Sequence, residues 1–270
     1  MNISGIALTA ATILLCACTP TNANSEPGNS SKARISAFNL ALASTRTARV
    51  ESQAILGRIE KSPVRFETLL GIVRASITSD PWILALVDKL SALPADYVPD
   101  DLVSLDGTGL SVSKKGLSLR KSVLEALLRM DKAARSEGIT LVVSSTYRSY
   151  AYQSEVYALN VREMGETEAS RVSARPGHSQ HQLGTALDFG SIDNSFTRTK
   201  AGLWLVSNAA RFGFSQSYPK GMESVTGYLW ESWHYRYIGY EATMLQNEYF
   251  GGIQQYLMEF LAAIAAAPLP

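Results

Sequence analysis

The sequence feature that most constrains this fold is Asp188, an acid inside an otherwise apolar, strand-like run from Leu183 to Gly190. In a β-strand, side chains alternate between the two faces. Leu187 and Phe189 therefore share one face, and Asp188 leaves from the other with the small Ala186. Because an ionised carboxylate is costly in an apolar setting unless it is compensated, Asp188 needs a partner, and a metal ion is a good one.

Histidines near this strand are the natural additional ligands. The chain has three histidines: His178 and His181 come just before the strand, and His234 lies in the segment WESWHYRYIG. Catalytic zinc usually takes three protein ligands and leaves a fourth position open, and histidine and carboxylate are among its common ligands. The sequence therefore predicts a zinc site. The spacing allows either His178 or His181 as a ligand and does not choose between them.

A glutamate close to the third histidine is a candidate base. Glu231 stands three residues before His234. Zinc hydrolases need a base that activates water without occupying the metal, and a glutamate at this distance along the chain can do that. Four aromatic residues around this pair are expected to exclude solvent: Trp230, Trp233, Tyr235 and Tyr237.

An arginine follows another predicted strand. Residues 139–145, ITLVVSS, are rich in β-branched side chains, which predicts a buried strand. Arg148 comes directly after it, and Gln153 falls on the first turn of the next predicted helix. The planar guanidinium group suits a carboxylate. On position alone, a carboxylate site in a cleft and a surface ion pair are equally good interpretations of Arg148.

The remaining chain divides into helical and mixed regions. Residues 33–93 have helical periodicity, with helices predicted to begin at Pro63 and Pro81. We interpret them as a helical region packed on the next domain, with partner docking as the alternative. A Pro-rich loop marks the start of the zinc-carrying domain, residues 94–241, which includes predicted helices over 118–138 and 204–212 and strands over 184–190 and 233–238. Residues 242–270 are interpreted as a packed C-terminal helix rather than an interfacial membrane helix.

The first residues predict export. Residues 1–17 lack charged side chains and have an apolar core too short for a bilayer, which needs about 20 residues, as in a signal peptide. The sequence Leu-Cys-Ala-Cys ending at Cys18 resembles a lipobox of bacterial lipoproteins, with the lipid on Cys18, although no Lys or Arg precedes it. An ordinary secretory peptide is the alternative. The polar residues 18–32 predict a flexible tether. We therefore expect an extracytoplasmic protein, lipid-anchored to a bacterial membrane.

Charge and cysteine content exclude some classes of protein. The 25 basic side chains nearly balance the 24 acidic ones, which argues against a nucleic-acid partner. Both cysteines lie at or before residue 18, so the rest of the chain has no disulfide. About 250 residues are enough for a core that needs no such cross-link.

Two motifs stand together in this chain: Ser179-x-His181-x-x-Gly184-x-Ala186-x-Asp188 and Glu231-x-Trp233-His234-Tyr235-Arg236. With Tyr147-Arg148-Ser149 upstream, they resemble the VanY-type D-alanyl-D-alanine carboxypeptidase family over roughly residues 93–240. The resemblance implies an α+β fold in which a small, mainly antiparallel sheet carries the zinc and helices flank it, here with an all-helical N-terminal extension. One departure is Ser217, since many relatives carry an arginine just before Tyr-Pro.

The resemblance also implies a role for each site residue. One zinc ion would be held by His181, Asp188 and His234, with Glu231 as the base and His178 at the rim. The catalytic Arg148 would hold the substrate's terminal carboxylate, with help from three further substrate-binding residues: Tyr147, Gln153 and Ser179.

The function implied is a zinc carboxypeptidase that removes the C-terminal D-alanine from peptidoglycan stem peptides, as a D,D- or an L,D-enzyme. Two alternatives remain: a non-catalytic zinc-containing lipoprotein that binds the cell wall, and an endopeptidase that cuts wall cross-links. A binding module has no need of a base such as Glu231. A carboxylate clamp such as Arg148 favours a free chain end over a cross-link.

Overall fold

The computed structural model describes residues 27–266, with side chains from residue 34 onward. The predicted leader, Cys18 and the first part of the tether lie outside the described residues, as do residues 267–270. The helices are α1 Pro27–Ser44, α2 Ser52–Lys61, α3 Pro63–Ser79, α4 Lys121–Ser136, α5 Tyr150–Met164, α6 Glu166–Val172, α7 Lys200–Asn208, α8 Glu223–Thr226, α9 Tyr240–Tyr249 and α10 Gln254–Ala266. The strands are β1 Leu102–Ser104, β2 Ser111–Val112, β3 Ser118–Arg120, β4 Val142–Ser145, β5 Ala186–Phe189, β6 Phe214–Gln216 and β7 His234–Tyr237.

The centre of the fold is a five-stranded mixed sheet in the order β2-β4-β5-β7-β6. Only the β2–β4 pair is parallel within it, and the other neighbours are antiparallel. A separate antiparallel pair joins β1 to β3. This arrangement confirms the predicted α+β class, with a mainly antiparallel sheet, flanking helices and a helical N-terminal region.

One face of the sheet packs on α4 and α7. Leu187 and Phe189 of β5 lie in this core, as the strand alternation predicts, and so does Tyr235 of β7. Tyr237 packs against the same core, so these two tyrosines are not walls of a metal site, and that expectation was wrong. The reason is again alternation: in β7 the tyrosines share one face and His234 leaves from the other.

The first helical region forms a second core with the end of the chain. Helices α1, α2 and α3 pack on α9 and α10 around an aromatic cluster that includes Phe38, Phe66, Tyr249 and Phe260. The predicted tether is partly wrong, because residues 27–32 already belong to α1. The predicted C-terminal helix is present as α10 and packs in this core, and Gly251 and Gly252, both with positive φ, separate it from α9. Within residues 27–266, no helix has the length and apolar character needed to cross a membrane.

The helix predicted to begin at Pro81 does not form. Residues 81–93 form turns, bends and irregular chain instead. The carbonyl oxygens of Ile83 and Ala85 accept hydrogen bonds from the buried guanidinium group of Arg236, at 3.1 and 2.9 Å. The Asp88 carboxylate accepts hydrogen bonds from the backbone N–H groups of Leu90 and Ser91. These bonds replace the helical pairing that the Pro81 signal predicts.

The helix predicted over 118–138 begins later. Residues 118–120 form β3 and pair with β1. The backbone N–H groups of Arg120 and Lys121 donate to the carbonyl oxygens of Gly184 and Asp101. Strand pairing thus takes the backbone groups that a first helical turn would leave free. The three predicted strands exist, but each is shorter than its sequence pattern: β4, β5 and β7 have four residues each.

Candidate active site

The register of two strands brings two predicted ligands together. Asp188 of β5 lies directly opposite His234 of β7 in the antiparallel ladder. Residues paired in this way project from the same face, with their Cβ atoms only about 5 Å apart. Both side chains are buried, and they leave from the face opposite the α4–α7 core.

The third predicted ligand comes from a tight turn before β5. His181 lies in a 3-10 turn over Gln180–Leu183, and the Ser179 hydroxyl accepts from the His181 N–H at the start of the turn. The turn ends at Gly184 with φ +68°. A Cβ at Gly184 would come within 2.9 Å of the Arg120 side chain, so both conformation and space require glycine there.

The loop after β4 fixes His181 from two sides. The His181 Nδ1 lies 2.6 Å from the Thr146 carbonyl oxygen, and the His181 carbonyl accepts from the Arg148 N–H at 3.2 Å. The pairing of β4 with β5 shifts register between Val143 and Ser145, just before this loop. Because a carbonyl can only accept, Nδ1 carries the proton and the Nε2 lone pair points into the site.

The three predicted ligand groups form a compact cluster that fits a metal ion. One donor atom from each of His181, Asp188 and His234 lies within 4.8 Å of the others. His181 Nε2 is 3.3 Å from one Asp188 oxygen, and His234 Nδ1 is 3.2 Å from the other. His181 Nε2 and Asp188 Oδ1 are buried without a hydrogen-bond partner. Buried polar atoms are rarely left unpaired, and two nitrogens with one carboxylate match catalytic zinc.

The charge states also suit metal binding. Burial, with the nearby Arg148 cation, lowers the pKa of His181 to about 4, so its ring is neutral at pH 7. Asp188 accepts a hydrogen bond from the Arg148 guanidinium group at 3.3 Å, and such a bond favours the ionised carboxylate. A metal needs deprotonated ligands, and this cluster presents them.

Glu231 lies beside the cluster without joining it. Its Oε2 is 3.4 Å from His234 Nδ1, and its side chain is 15% exposed, toward the cleft. Burial, and then the negative charge of Asp188, raises the pKa of Glu231 to about 8 in the absence of a metal. A carboxyl group whose pKa lies near neutrality is suited to exchange protons with a substrate.

Arg148 lies in the cleft and not on the outer surface, so the surface-pair interpretation is set aside. It donates to Gln153 Oε1 at 3.0 Å and to Asp188 Oδ2 at 3.3 Å. Gln153 is fully buried and donates in turn to the Ala174 carbonyl at 2.7 Å. The guanidinium group is therefore held in place beside the three predicted metal ligands, with part of its surface open to the cleft.

The other predicted residues take different places. Tyr147 and Ser179 line the cleft, but the Ser179 hydroxyl is engaged with the backbone of the His181 turn. His178 is half-buried, and its Nδ1 lies 2.7 Å from the Asp88 carbonyl oxygen. It is not part of the three-residue cluster, so among the described residues the geometry selects His181 over His178.

The cleft over this cluster has a volume of about 880 Å³. Its aromatic walls are Tyr147, Tyr152, Tyr218, Tyr228 and Trp233, of which the sequence predicts Tyr147 as a substrate-binding residue and Trp233 as a wall. The Tyr218 ring lies 4.8 Å from the His234 ring and 4.8 Å from the Tyr228 ring. Both tyrosines lie in the segment between the two motifs, where no spacing rule connects them to a metal. The volume accommodates a peptide of several residues.

Comparison with known proteins agrees with this geometry. The family described as VanY, D-alanyl-D-alanine carboxypeptidase, matches residues 116–240. YodJ of Bacillus subtilis (strain 168) is 38% identical over 182 residues, which cover 64% of this chain and 66% of YodJ, just under two thirds of its length.

Two solved structures share the fold and the sequence. The LdcB LD-carboxypeptidase is 35% identical with a TM-score of 0.59, and the match covers 67% of this chain and 86% of that one. A mutant of the vancomycin resistance D,D-pentapeptidase VanY, in complex with Zn(II), is 32% identical with a TM-score of 0.54, over 67% of this chain and 99% of that one. The chain thus belongs to the VanY family of D-alanyl-D-alanine carboxypeptidases.

Proposed function

We propose that this protein is a zinc-dependent carboxypeptidase that removes the C-terminal D-alanine from peptidoglycan stem peptides. One observation carries the proposal: a single cleft brings together three buried metal-ligand groups, a carboxylate beside them and a fixed arginine. The relatives support the substrate class, since one is a D,D-pentapeptidase that binds zinc and another is an LD-carboxypeptidase that recognises peptidoglycan.

The residues divide the work of hydrolysis. His181, Asp188 and His234 would hold zinc, which when bound supplies a Lewis acid that polarises a carbonyl and lowers the pKa of water to about 7. Glu231 accepts the proton of the attacking water and returns it to the departing amine of D-alanine.

Arg148 acts on the carboxylate of the C-terminal D-alanine, at the opposite end of that residue from the scissile bond. Its guanidinium group binds the terminal carboxylate, and Gln153 keeps that group oriented. Fixing the chain end in this way places the scissile carbonyl over the metal cluster. Tyr147 and Ser179 border the same part of the cleft and complete the binding surface for the terminal residue.

Incubation of the purified protein with defined stem peptides tests the function. We expect a pentapeptide ending in D-Ala-D-Ala, or a tetrapeptide ending in a single D-alanine, to lose one D-alanine, detected by mass. Which of the two is shortened separates D,D- from L,D-activity. Zinc binding without product from either peptide would favour the wall-binding lipoprotein, and cleavage only of cross-linked dimers would favour the endopeptidase.

Replacing Arg148 by alanine should lower kcat/KM for peptides with a free C-terminus by about 10- to 100-fold. A hydrogen bond to a charged group contributes about 1.5–3 kcal/mol, which corresponds to this range. The same peptides amidated at the C-terminus lack the carboxylate, so their slower cleavage should change much less. A matched control is Arg171→Ala, which removes an arginine that pairs with Glu168 and Glu223 away from the cluster. Equal losses on free and amidated peptides would contradict the clamp.

We also propose that the protein is lipid-anchored outside the cytoplasm through Cys18, on the strength of the Leu-Cys-Ala-Cys sequence. The full-length protein expressed in a bacterium should then fractionate with membranes and partition into detergent. Cys18→Ser should release it to the soluble fraction, whereas Cys16→Ser should not. Membrane retention of the Cys18→Ser protein would contradict the anchor.

A further inference from the structure

The two histidine ligands are oriented in different ways. His181 faces the cluster through Nε2, and its Nδ1 meets a backbone carbonyl, that of Thr146. His234 faces the cluster through Nδ1, and its Nε2 lies 3.2 Å from the side-chain oxygen of Gln180. One ring is therefore held by the main chain, and the other by a side chain that a substitution can remove.

Gln180 is itself held by two further buried side chains. Its Oε1 accepts from the Ser217 hydroxyl at 2.7 Å, and its Nε2 donates to Gln254 Oε1 at 3.3 Å. The Gln254 amide nitrogen donates to the Ser215 carbonyl at 3.3 Å. All three side chains are buried, with 5% of Gln180, 3% of Ser217 and 2% of Gln254 exposed.

The direction of these bonds fixes which nitrogen of His234 carries a proton. The Ser215 carbonyl can only accept, so Gln254 turns its nitrogen toward Ser215 and its oxygen toward Gln180. Gln180 must then turn its nitrogen toward Gln254 and its oxygen toward His234. An oxygen that only accepts requires a proton on His234 Nε2, which leaves the Nδ1 lone pair for the metal. In metal sites such outer hydrogen bonds set the tautomer and the ring orientation of a histidine ligand.

We propose that Gln180, Ser217 and Gln254 form a positioning relay that holds His234 in its metal-binding tautomer and connects α10 to the metal cluster. Gln254 lies beyond residues 116–240, so the relay connects the C-terminal helix α10 to the part of the chain that matches the family. Because its members are neutral, the relay orients the ring without adding a charge beside the metal. The inference rests on the proposed zinc site but not on the proposed reaction.

A neighbouring glutamine supplies a matched control. Gln182 is fully buried in the same 3-10 turn, but its amide nitrogen donates to the Pro94 and Tyr97 carbonyls and does not reach His234. Gln180→Leu and Gln182→Leu therefore remove a buried amide of the same size from the same turn. Only the first breaks the relay.

The test is zinc affinity, measured by chelator competition on the purified protein. Gln180→Leu should weaken zinc binding by about 10- to 100-fold, the usual cost of losing such a partner of a metal ligand. Gln254→Leu should weaken it by a smaller factor in the same direction. Gln180→Glu keeps an acceptor for His234 Nε2 and should stay within a few-fold of wild type. Gln182→Leu should leave the zinc affinity unchanged.

A second measurement does not depend on zinc. In the metal-free protein with ¹⁵N-labelled histidine, NMR should show His234 protonated at Nε2 in the wild type and in Gln182→Leu. In Gln180→Leu and Gln254→Leu, NMR should show His234 as a mixture of the Nδ1-protonated and Nε2-protonated tautomers. Equal zinc affinities for Gln180→Leu and Gln182→Leu, or an unchanged tautomer in Gln254→Leu, would overturn the relay. A wild type that binds no zinc would refute the proposed function, while the tautomer would still test the relay.

Discussion

Replacing Glu231 by glutamine should lower kcat by at least about 100-fold while zinc and peptide binding remain near normal. The amide has the shape of the carboxylate but cannot accept a proton from water, and loss of a general base costs at least about this factor. The proposed role as base is supported by position, since the Glu231 Oε2 lies 3.4 Å from His234 Nδ1 and the side chain opens to the cleft. It is not one of the three clustered ligand groups, so the metal should stay.

The measurement is steady-state hydrolysis of the stem peptide that the wild type shortens, with zinc content determined on the same samples. Glu223→Gln is a suitable control, because Glu223 pairs with Arg171 and does not line the cleft. Its kcat should equal that of the wild type. Near-normal turnover by the Glu231→Gln enzyme, with its zinc in place, would rule out Glu231 as the base.

Local signals in the sequence indicate part of the candidate metal site, and the resemblance to a family implies the full set of ligands. Asp188 stands out by strand alternation alone, whereas its position opposite His234 is a strand register that only the structure shows. The spacing left His178 and His181 equivalent. In the structure the Thr146 carbonyl and the turn capped by Ser179 distinguish them, and both depend on how the loop after β4 meets the turn before β5.

The predictions that were wrong or missing concern contacts between parts of the chain that are distant in sequence. Pro81 is a good start signal for a helix. The carbonyl oxygens of Ile83 and Ala85 nevertheless accept hydrogen bonds from Arg236, more than 150 residues later, and no helix forms. Gln180 and Gln254 are 74 residues apart, and no periodicity in either segment predicts that their side chains meet. Such long-range polar contacts override local propensity, which is only a weak prior.

The choice of histidine can be tested directly by metal content. His234→Ala should lose most of its zinc after dialysis, because it leaves only His181 and Asp188 of the three clustered groups, and catalytic zinc usually needs three protein ligands. His178→Ala should keep one zinc ion per chain, since the His178 ring is engaged with the Asp88 carbonyl and lies outside the cluster. Elemental analysis of the dialysed proteins gives the comparison.

Thermal unfolding provides an independent readout of the same difference. A ligand that binds only the folded state stabilises it by RT ln(1 + [L]/Kd), about 4 kcal/mol at 1,000 times Kd. Added zinc should therefore raise the Tm of the wild type and of His178→Ala, and leave that of His234→Ala nearly unchanged. The comparison is made within each protein, with and without zinc, so any loss of stability from the substitution itself cancels. If zinc raises the Tm of His234→Ala but not of His178→Ala, then the second motif does not supply the ligand and the cluster assigned here is wrong.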